Sequence, residues 1–313
     1  MRKPFIAVSL FVVLLCSPLL LFAAPTSSKA PASSKVKCCN SKHKTGPIII
    51  QEVGPVVERK IHEQLIPPNY IGIAFYNPNY ILPYYFTGSP DNAVYEGNTP
   101  NDESLNNAEF KFQFSVKVPV WKNIFNYTTS LYAAYTQLSY WQVYNKTTFM
   151  RENDYQPEFF LETPVNWHLT KNWHVNFFNV GVNHVSNGFG TDLQRSWNRL
   201  YVEAITSSQN WMFSVRPWAV LTKNDNNSDI AQYLGYGRFL LSYKCHQQVV
   251  SLEAYSLFVH GGKHASGQLT WSFPITHYIK GYVQGFTGYG QSIVEYNHRT
   301  NSIGVGFALS DWV

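Results

Sequence analysis

The stretch Glu109-Phe-Lys-Phe-Gln-Phe-Ser-Val-Lys-Val-Pro-Val120 alternates without a break. Phe110, Phe112, Phe114, Val116, Val118 and Val120 take every second place, with Lys111, Gln113, Ser115, Lys117 and Pro119 between them. Successive side chains of a strand point to opposite faces, so an extended chain here has one apolar face and one mostly polar face. A strand of a soluble sandwich gives the same pattern, and one strand decides little. Repetition decides. Leu269, Trp271 and Phe273 alternate with Gln268, Thr270 and Ser272, and Ile303, Val305, Phe307 and Leu309 with Gly304, Gly306, Ala308 and Ser310. Polar and small residues on one face and apolar ones on the other are what a barrel needs when its lumen is wet and its outer wall meets lipid.

The composition agrees. Of 313 residues, 45% are hydrophobic and 16% aromatic, and only 14% are charged. About a quarter would be charged in an ordinary soluble chain. Mean hydropathy is −0.21, and beyond the N-terminus no run of about 18 apolar residues exists to cross a bilayer as a helix. A net charge of +5 with no dense basic cluster argues against a nucleic-acid partner.

Turn signals from Asn79 onward predict an all-β fold, a twelve-stranded antiparallel transmembrane barrel. The expected strands are 79–87, 109–121, 127–143, 154–168, 173–186, 197–206, 210–222, 233–244, 249–258, 265–273, 277–287 and 300–312. The long connections 88–108, 144–153 and 187–196 alternate with the short ones 122–126, 169–172 and 207–209. Short turns belong on the periplasmic side and long loops outside. This predicts an outer-membrane barrel with both termini in the periplasm.

The N-terminus supports export. Arg2 and Lys3 precede an apolar run from Phe5 to Phe22, and Ala23, Ala24 and Pro25 follow, the pattern of a signal peptide over residues 1–23. Cys16 is preceded by bulky Leu15 where a lipoprotein site wants a small residue. Residues 24–67 read as a flexible, periplasmic lead-in, with a brief helix expected from Glu58 to Leu65, and 68–313 as the barrel domain. Cys38, Cys39 and Cys245 remain after processing, and no bridge is assigned.

One strand breaks the alternation. Phe178, Val180, Val182, His184 and Ser186 share a face, so a histidine and a serine join the lipid-facing set at the strand's end. A hydroxyl two residues from an imidazole on one face is the arrangement of a nucleophile beside its general base. Asn198 shares parity with Leu200 and Val202 on the next strand and can approach the far nitrogen of His184. Polar residues at strand ends near lipid headgroups are ordinary, and a lone His-x-Ser carries little. The chain has no Gly-x-Ser-x-Gly elbow, which excludes the usual α/β-hydrolase.

The segments Gly181-Val-Asn-His-Val-Ser-Asn-Gly188 and Arg195-Ser-Trp-Asn-Arg-Leu-Tyr201 resemble the outer membrane phospholipase A family. So do Asn79-Tyr-Ile-Leu82, Tyr135-Thr-Gln-Leu-Ser-Tyr-Trp-Gln142, Arg151-Glu-Asn-Asp-Tyr-Gln-Pro-Glu158, Gly235-Tyr-Gly237 and Gly304-Val-Gly-Phe-Ala-Leu-Ser-Asp311. The resemblance implies an outer-membrane serine hydrolase that cleaves acyl esters of phospholipids and lysophospholipids (A1, A2 and lysophospholipase activities), activated by calcium and by formation of a homodimer. It implies Ser186 as nucleophile, His184 as base, Asn198 as its orienter and the Gly188 amide as oxyanion donor. For Ca2+ it implies the Thr147 hydroxyl given to a partner subunit, the Phe189 carbonyl, and Gln194 where the family has a serine. The family's arginine is replaced by Phe189, and Thr191 and Asp192 are candidate compensating ligands. Gln137 matches a polar residue of the family's dimer interface and shares parity with Leu131, Ala133 and Tyr135. Two other readings fit a barrel of this kind: a lipopolysaccharide deacylase, and a non-enzymatic pore.

Overall fold

The computed structural model describes residues 55, 56, 59, 72–124, 128–190 and 192–313. The expected signal peptide, nearly all of the lead-in with its brief helix, and Thr191 lie outside the described residues.

Thirteen strands form one sheet among the described residues. They are β1 (Ala74–Phe75), β2 (Asn79–Thr87), β3 (Ala108–Ile124), β4 (Thr129–Gln142), β5 (Phe149–His168), β6 (His174–Ser186), β7 (Ser196–Ser208), β8 (Trp211–Lys223), β9 (Gly237–Cys245), β10 (Gln248–Tyr255), β11 (Ser266–Pro274), β12 (Lys280–Tyr289) and β13 (Arg299–Ser310). From β2 onward each pairs antiparallel with the next, and β13 returns to β2 at Ile303↔Phe86, so the sheet closes. The two residues of β1 sit on the same edge of β3 as β2, pairing Ala74 with Lys117. The barrel therefore has twelve strands around its wall. Closure leaves no unpaired edge, which a bilayer demands because lipid offers no hydrogen bonds.

The alternation holds. In β3, Glu109, Lys111, Ser115 and Lys117 are buried in the lumen while Phe114 and Val120 are exposed. In β13, Ile303, Val305, Phe307 and Leu309 face outward.

The observed strand ends lie within three residues of those expected, apart from two that differ by more. β5 begins at Phe149 rather than near 154. Its opening stretch Phe149-Met-Arg-Glu152 reads as loop, but Arg151 and Glu152 turn inward, where Arg151 pairs with Glu109 at 2.9 Å. The strand expected over 233–244 begins only at Gly237, because Ile230–Leu234 is a short helix. Gly235, at φ 72°, ends that helix and donates its N–H to the Ala231 carbonyl.

The lumen is filled. Arg216 pairs with Glu203 at 2.7 Å and Glu158 at 3.4 Å, and Arg238 with Glu203 at 2.9 Å and Glu253 at 3.4 Å. The Arg199 guanidinium lies 4.3 Å from the Trp197 ring and 4.8 Å from that of Trp218. Buried charges persist because each finds a partner. At the end with long loops, the β12–β13 connection enters the mouth, where Val294 N donates to Glu152 Oε1 at 2.7 Å and Tyr140 donates to the Gln291 carbonyl at 2.5 Å. At the other end, Val56 packs with Phe177, Met212 and Leu240, and Arg59 donates to the carbonyls of Phe75, Tyr76 and Trp312.

Candidate active site

β6 and β7 pair in the register His184↔Asn198 and Ser186↔Ser196. Asn179, Gly181, Asn183 and Val185 point into the lumen, and Val180, Val182, His184 and Ser186 point out. On the same pattern Asn198, Leu200 and Val202 point out from β7. The two strands thus bring an imidazole, an amide and a hydroxyl onto the outer wall. The Asn198 Oδ1 lies 2.8 Å from His184 Nδ1. A carboxamide oxygen only accepts, so Nδ1 carries the proton and donates it. That leaves the Nε2 lone pair free to take a proton. Among the described residues, Ser186 Oγ has no hydrogen-bond partner, and it shares its strand face with His184.

The loop after β6 is built by Asn187, a residue to which spacing alone gives no role although it stands within His184-Val-Ser-Asn-Gly188. Its side chain is buried. Nδ2 donates to the Leu193 carbonyl at 2.6 Å, and Oδ1 accepts from Arg195 N at 3.0 Å and Phe189 N at 3.3 Å. One side chain thus ties the loop across its own width. Gly188 sits inside this clamp at φ 71°, a conformation that disfavours side chains, and a Cβ there would also meet Tyr155 Cε2 at 3.0 Å. Phe189 and Leu193 anchor the loop in a small apolar cluster with Tyr95, Leu105 and Val294.

A second contact has no sequence signal of its own. Asn198 Nδ2 donates to Thr222 Oγ1 at 2.5 Å.

The expected metal ligands are only partly gathered. Phe189 and Gln194 share the Gly188 loop, with the Gln194 side chain exposed and its carbonyl accepting from Arg195. Asp192 is exposed on the same loop. Thr147 stands elsewhere, between β4 and β5, where its hydroxyl donates to Glu103 Oε1 at 2.9 Å and accepts from Asn101. The Thr147 N–H, donating to Glu103, is the main reason that this carboxyl titrates below its ordinary range. No cluster of three or more His, Cys, Asp or Glu with metal-holding geometry occurs among the described residues. The donors at hand are hard oxygens of carbonyl, amide, hydroxyl and carboxylate, the kind calcium takes. Gln137 faces outward on β4, where its amide accepts from Tyr135 OH and donates to Ser139 Oγ.

Fold and site together define a class: a closed membrane-spanning barrel with a serine, a histidine and an asparagine half-buried on its outer wall. Comparison with known proteins narrows it. The family model for phospholipase A1 matches residues 57–309. Phospholipase A1 of Salmonella typhimurium is 33% identical over 239 residues, 75% of this chain and 81% of the relative. That of Klebsiella pneumoniae is 35% identical over 211 residues, 67% of this chain and 73% of the relative. The solved outer membrane phospholipase A from Escherichia coli superposes with a TM-score of 0.75 at 31% identity, covering 80% of this chain and 96% of that one. The Salmonella typhi outer membrane phospholipase dimer with bound calcium gives 0.75 at 30% identity, with coverages of 80% and 96%. The chain belongs to the phospholipase A1 family.

Proposed function

We propose that this protein is an outer-membrane phospholipase that hydrolyses acyl esters of phospholipids and lysophospholipids with Ser186, His184 and Asn198. The observation that carries the reading is the 2.8 Å contact from Asn198 Oδ1 to His184 Nδ1 on the outer wall, beside Ser186. In the reaction, Ser186 Oγ attacks the ester carbonyl carbon while His184 Nε2 takes its proton. Asn198 holds the imidazole in the tautomer that leaves Nε2 free and stabilises the imidazolium that forms. The tetrahedral oxyanion is met by the Gly188 N–H, which its loop conformation presents. Collapse expels the lysolipid or glycerol oxygen, which receives the proton from His184. Water, deprotonated by the same Nε2, then attacks the acyl-serine and releases the fatty acid. Because Ser186 shares its strand's outward face with Val180 and Val182, acyl chains stay in lipid while the ester reaches the hydroxyl.

Calcium would be held by the Phe189 carbonyl and Gln194 with Asp192 and water, together with Thr147 of the partner subunit, and when bound it supplies positive charge near the developing oxyanion. Its requirement, like the homodimer, rests on the family relationship and on the calcium-bound dimer of the Salmonella typhi relative. The short turns lie at the same end of the barrel as the start of β2 and the end of β13, which supports a periplasmic location for the termini. The lumen, crossed by the pairs of Arg216, Arg238 and Glu203, argues against a passive pore.

The test is hydrolysis of defined phosphatidylcholine and lysophosphatidylcholine by the purified barrel, with calcium and with chelator, beside Ser186→Ala. Fatty-acid release from wild type and none from the variant is expected. Equal release from both would overturn the triad, and release only from lipopolysaccharide would move the substrate to a glycolipid.

A further inference from the structure

We infer that Thr222 is a positioning residue for the hydrolysis, fixing which end of the Asn198 carboxamide faces His184; the inference rests on the triad proposed above. A carboxamide has two ends of nearly equal size. With Oδ1 toward Nδ1 it accepts from the imidazole and leaves Nε2 as the base. Turned over, it presents N–H groups to Nδ1, demands the opposite tautomer, and removes the lone pair that Ser186 needs. A carboxylate has no such ambiguity, because its two oxygens are equivalent. An asparagine therefore needs a second contact that tells its ends apart. Thr222 supplies it: its Oγ1 accepts from Asn198 Nδ2 at 2.5 Å while Asn198 Oδ1 meets His184 Nδ1 at 2.8 Å.

The backbone is shaped to make this contact. Along β8, Met212, Ser214 and Trp218 are buried in the lumen. Continued alternation would send Thr222, of the same parity, inward. The register with β7 instead runs Arg199↔Val220 and then Asn198↔Thr222, so Leu221 is an extra residue in β8. This bulge reverses the alternation and brings Thr222 out beside Asn198. Bulges re-aim side chains next to active sites, and this one delivers a hydroxyl to the amide. The Thr222 hydroxyl reaches the triad through Asn198, so it should affect turnover rather than substrate affinity.

The experiment compares Thr222→Val, which keeps the shape and loses the hydroxyl, with Thr222→Ser, which keeps the hydroxyl. Each is made in the wild-type and the Asn198→Asp background, with Ser186→Ala as control and folding followed by heat-modifiable migration. In wild type, Thr222→Val is expected to lower kcat about 3- to 10-fold, the range of one hydrogen bond, at unchanged KM, and Thr222→Ser to restore it to within about 2-fold. In the Asn198→Asp background, Thr222→Val is expected to change kcat by less than about 2-fold, since a carboxylate cannot be turned the wrong way. Unaltered kcat for Thr222→Val, or failure of Thr222→Ser to restore a lowered one, overturns the role. An equal loss in both backgrounds also overturns it, by showing that Thr222 acts through packing. Full activity in Ser186→Ala is the separate result that removes the triad itself.

Discussion

Replacing Asn187 with alanine tests whether the loop after β6 is a built part of the catalytic apparatus. The side chain makes three hydrogen bonds: to the Leu193 carbonyl, from Arg195 N and from Phe189 N. Leu193 and Arg195 are themselves buried, so removal of Asn187 leaves a carbonyl and an N–H with poor access to water. Each such orphan costs about 1–3 kcal/mol, and the longer 3.3 Å contact adds little. The two orphans together should therefore cost the closed loop about 2–6 kcal/mol. Since about 1.4 kcal/mol is tenfold in a population, Asn187→Ala should lower kcat by about 30-fold or more through an ill-placed Gly188. The barrel should be untouched, because the β6–β7 ladder ends before the loop and Asn187 contributes nothing to the lumen pairs. Asn187→Asp keeps both acceptor contacts and loses only the donor to Leu193, so it should fall between. The assay is fatty-acid release together with hydrogen exchange over residues 187–195 and heat-modifiable migration of the folded barrel. Wild-type turnover by Asn187→Ala, with exchange in the loop demonstrably faster, would refute the claim that loop order supports catalysis.

Ser186→Ala is expected to abolish ester hydrolysis with folding intact, and Asn198→Ala to lose less than His184→Ala, since an orienter fixes a tautomer while the base moves the proton; the check is kcat for each folded variant. Thr147→Ala and Gln194→Ala should each raise the calcium concentration needed for half-maximal hydrolysis and for cross-linked dimer, read by titrating both on one preparation. Glu203→Ala takes the nearer carboxylate from both Arg216 and Arg238 and leaves them Glu158 and Glu253 at 3.4 Å, so it should cost less than the about 3–5 kcal/mol of a fully unpaired buried charge, seen as a lower urea midpoint for barrel unfolding. For Glu103, the carboxyl titrates below its ordinary value, so its hold on Thr147 is complete above that ordinary value and is lost as pH falls through the lowered one; the protection of the Thr147 amide, relative to its intrinsic exchange rate at each pH, should fall in that acid window, and in Glu103→Gln that fall should be absent.

The sequence by itself determined the wall and the outward side of His184 and Ser186 upon it. Strand alternation has a period of two, so Phe110 to Val120 and Ile303 to Leu309 divide into faces without any partner being known. The same parity puts His184 and Ser186 outward, and adjacency of β6 and β7 brings Asn198 opposite His184. What alternation cannot encode is where it is interrupted or opposed by long-range partners. Arg151 and Glu152 read as loop because a charged run is normally solvated; only closure of the barrel brings Glu109 and Val294 to them and makes a strand of their segment. Asn187 has the look of a turn residue, since its three partners lie up to eight residues away across a loop whose shape the sequence does not specify. Parity alone sends Thr222 to the lumen, and the extra residue Leu221 moves it to the outer wall. That bulge arises from the pairing of β7 with β8, and pairing is a property of two strands together. Local periodicity therefore sets which side chains meet lipid, while inter-strand register decides which of them touch one another.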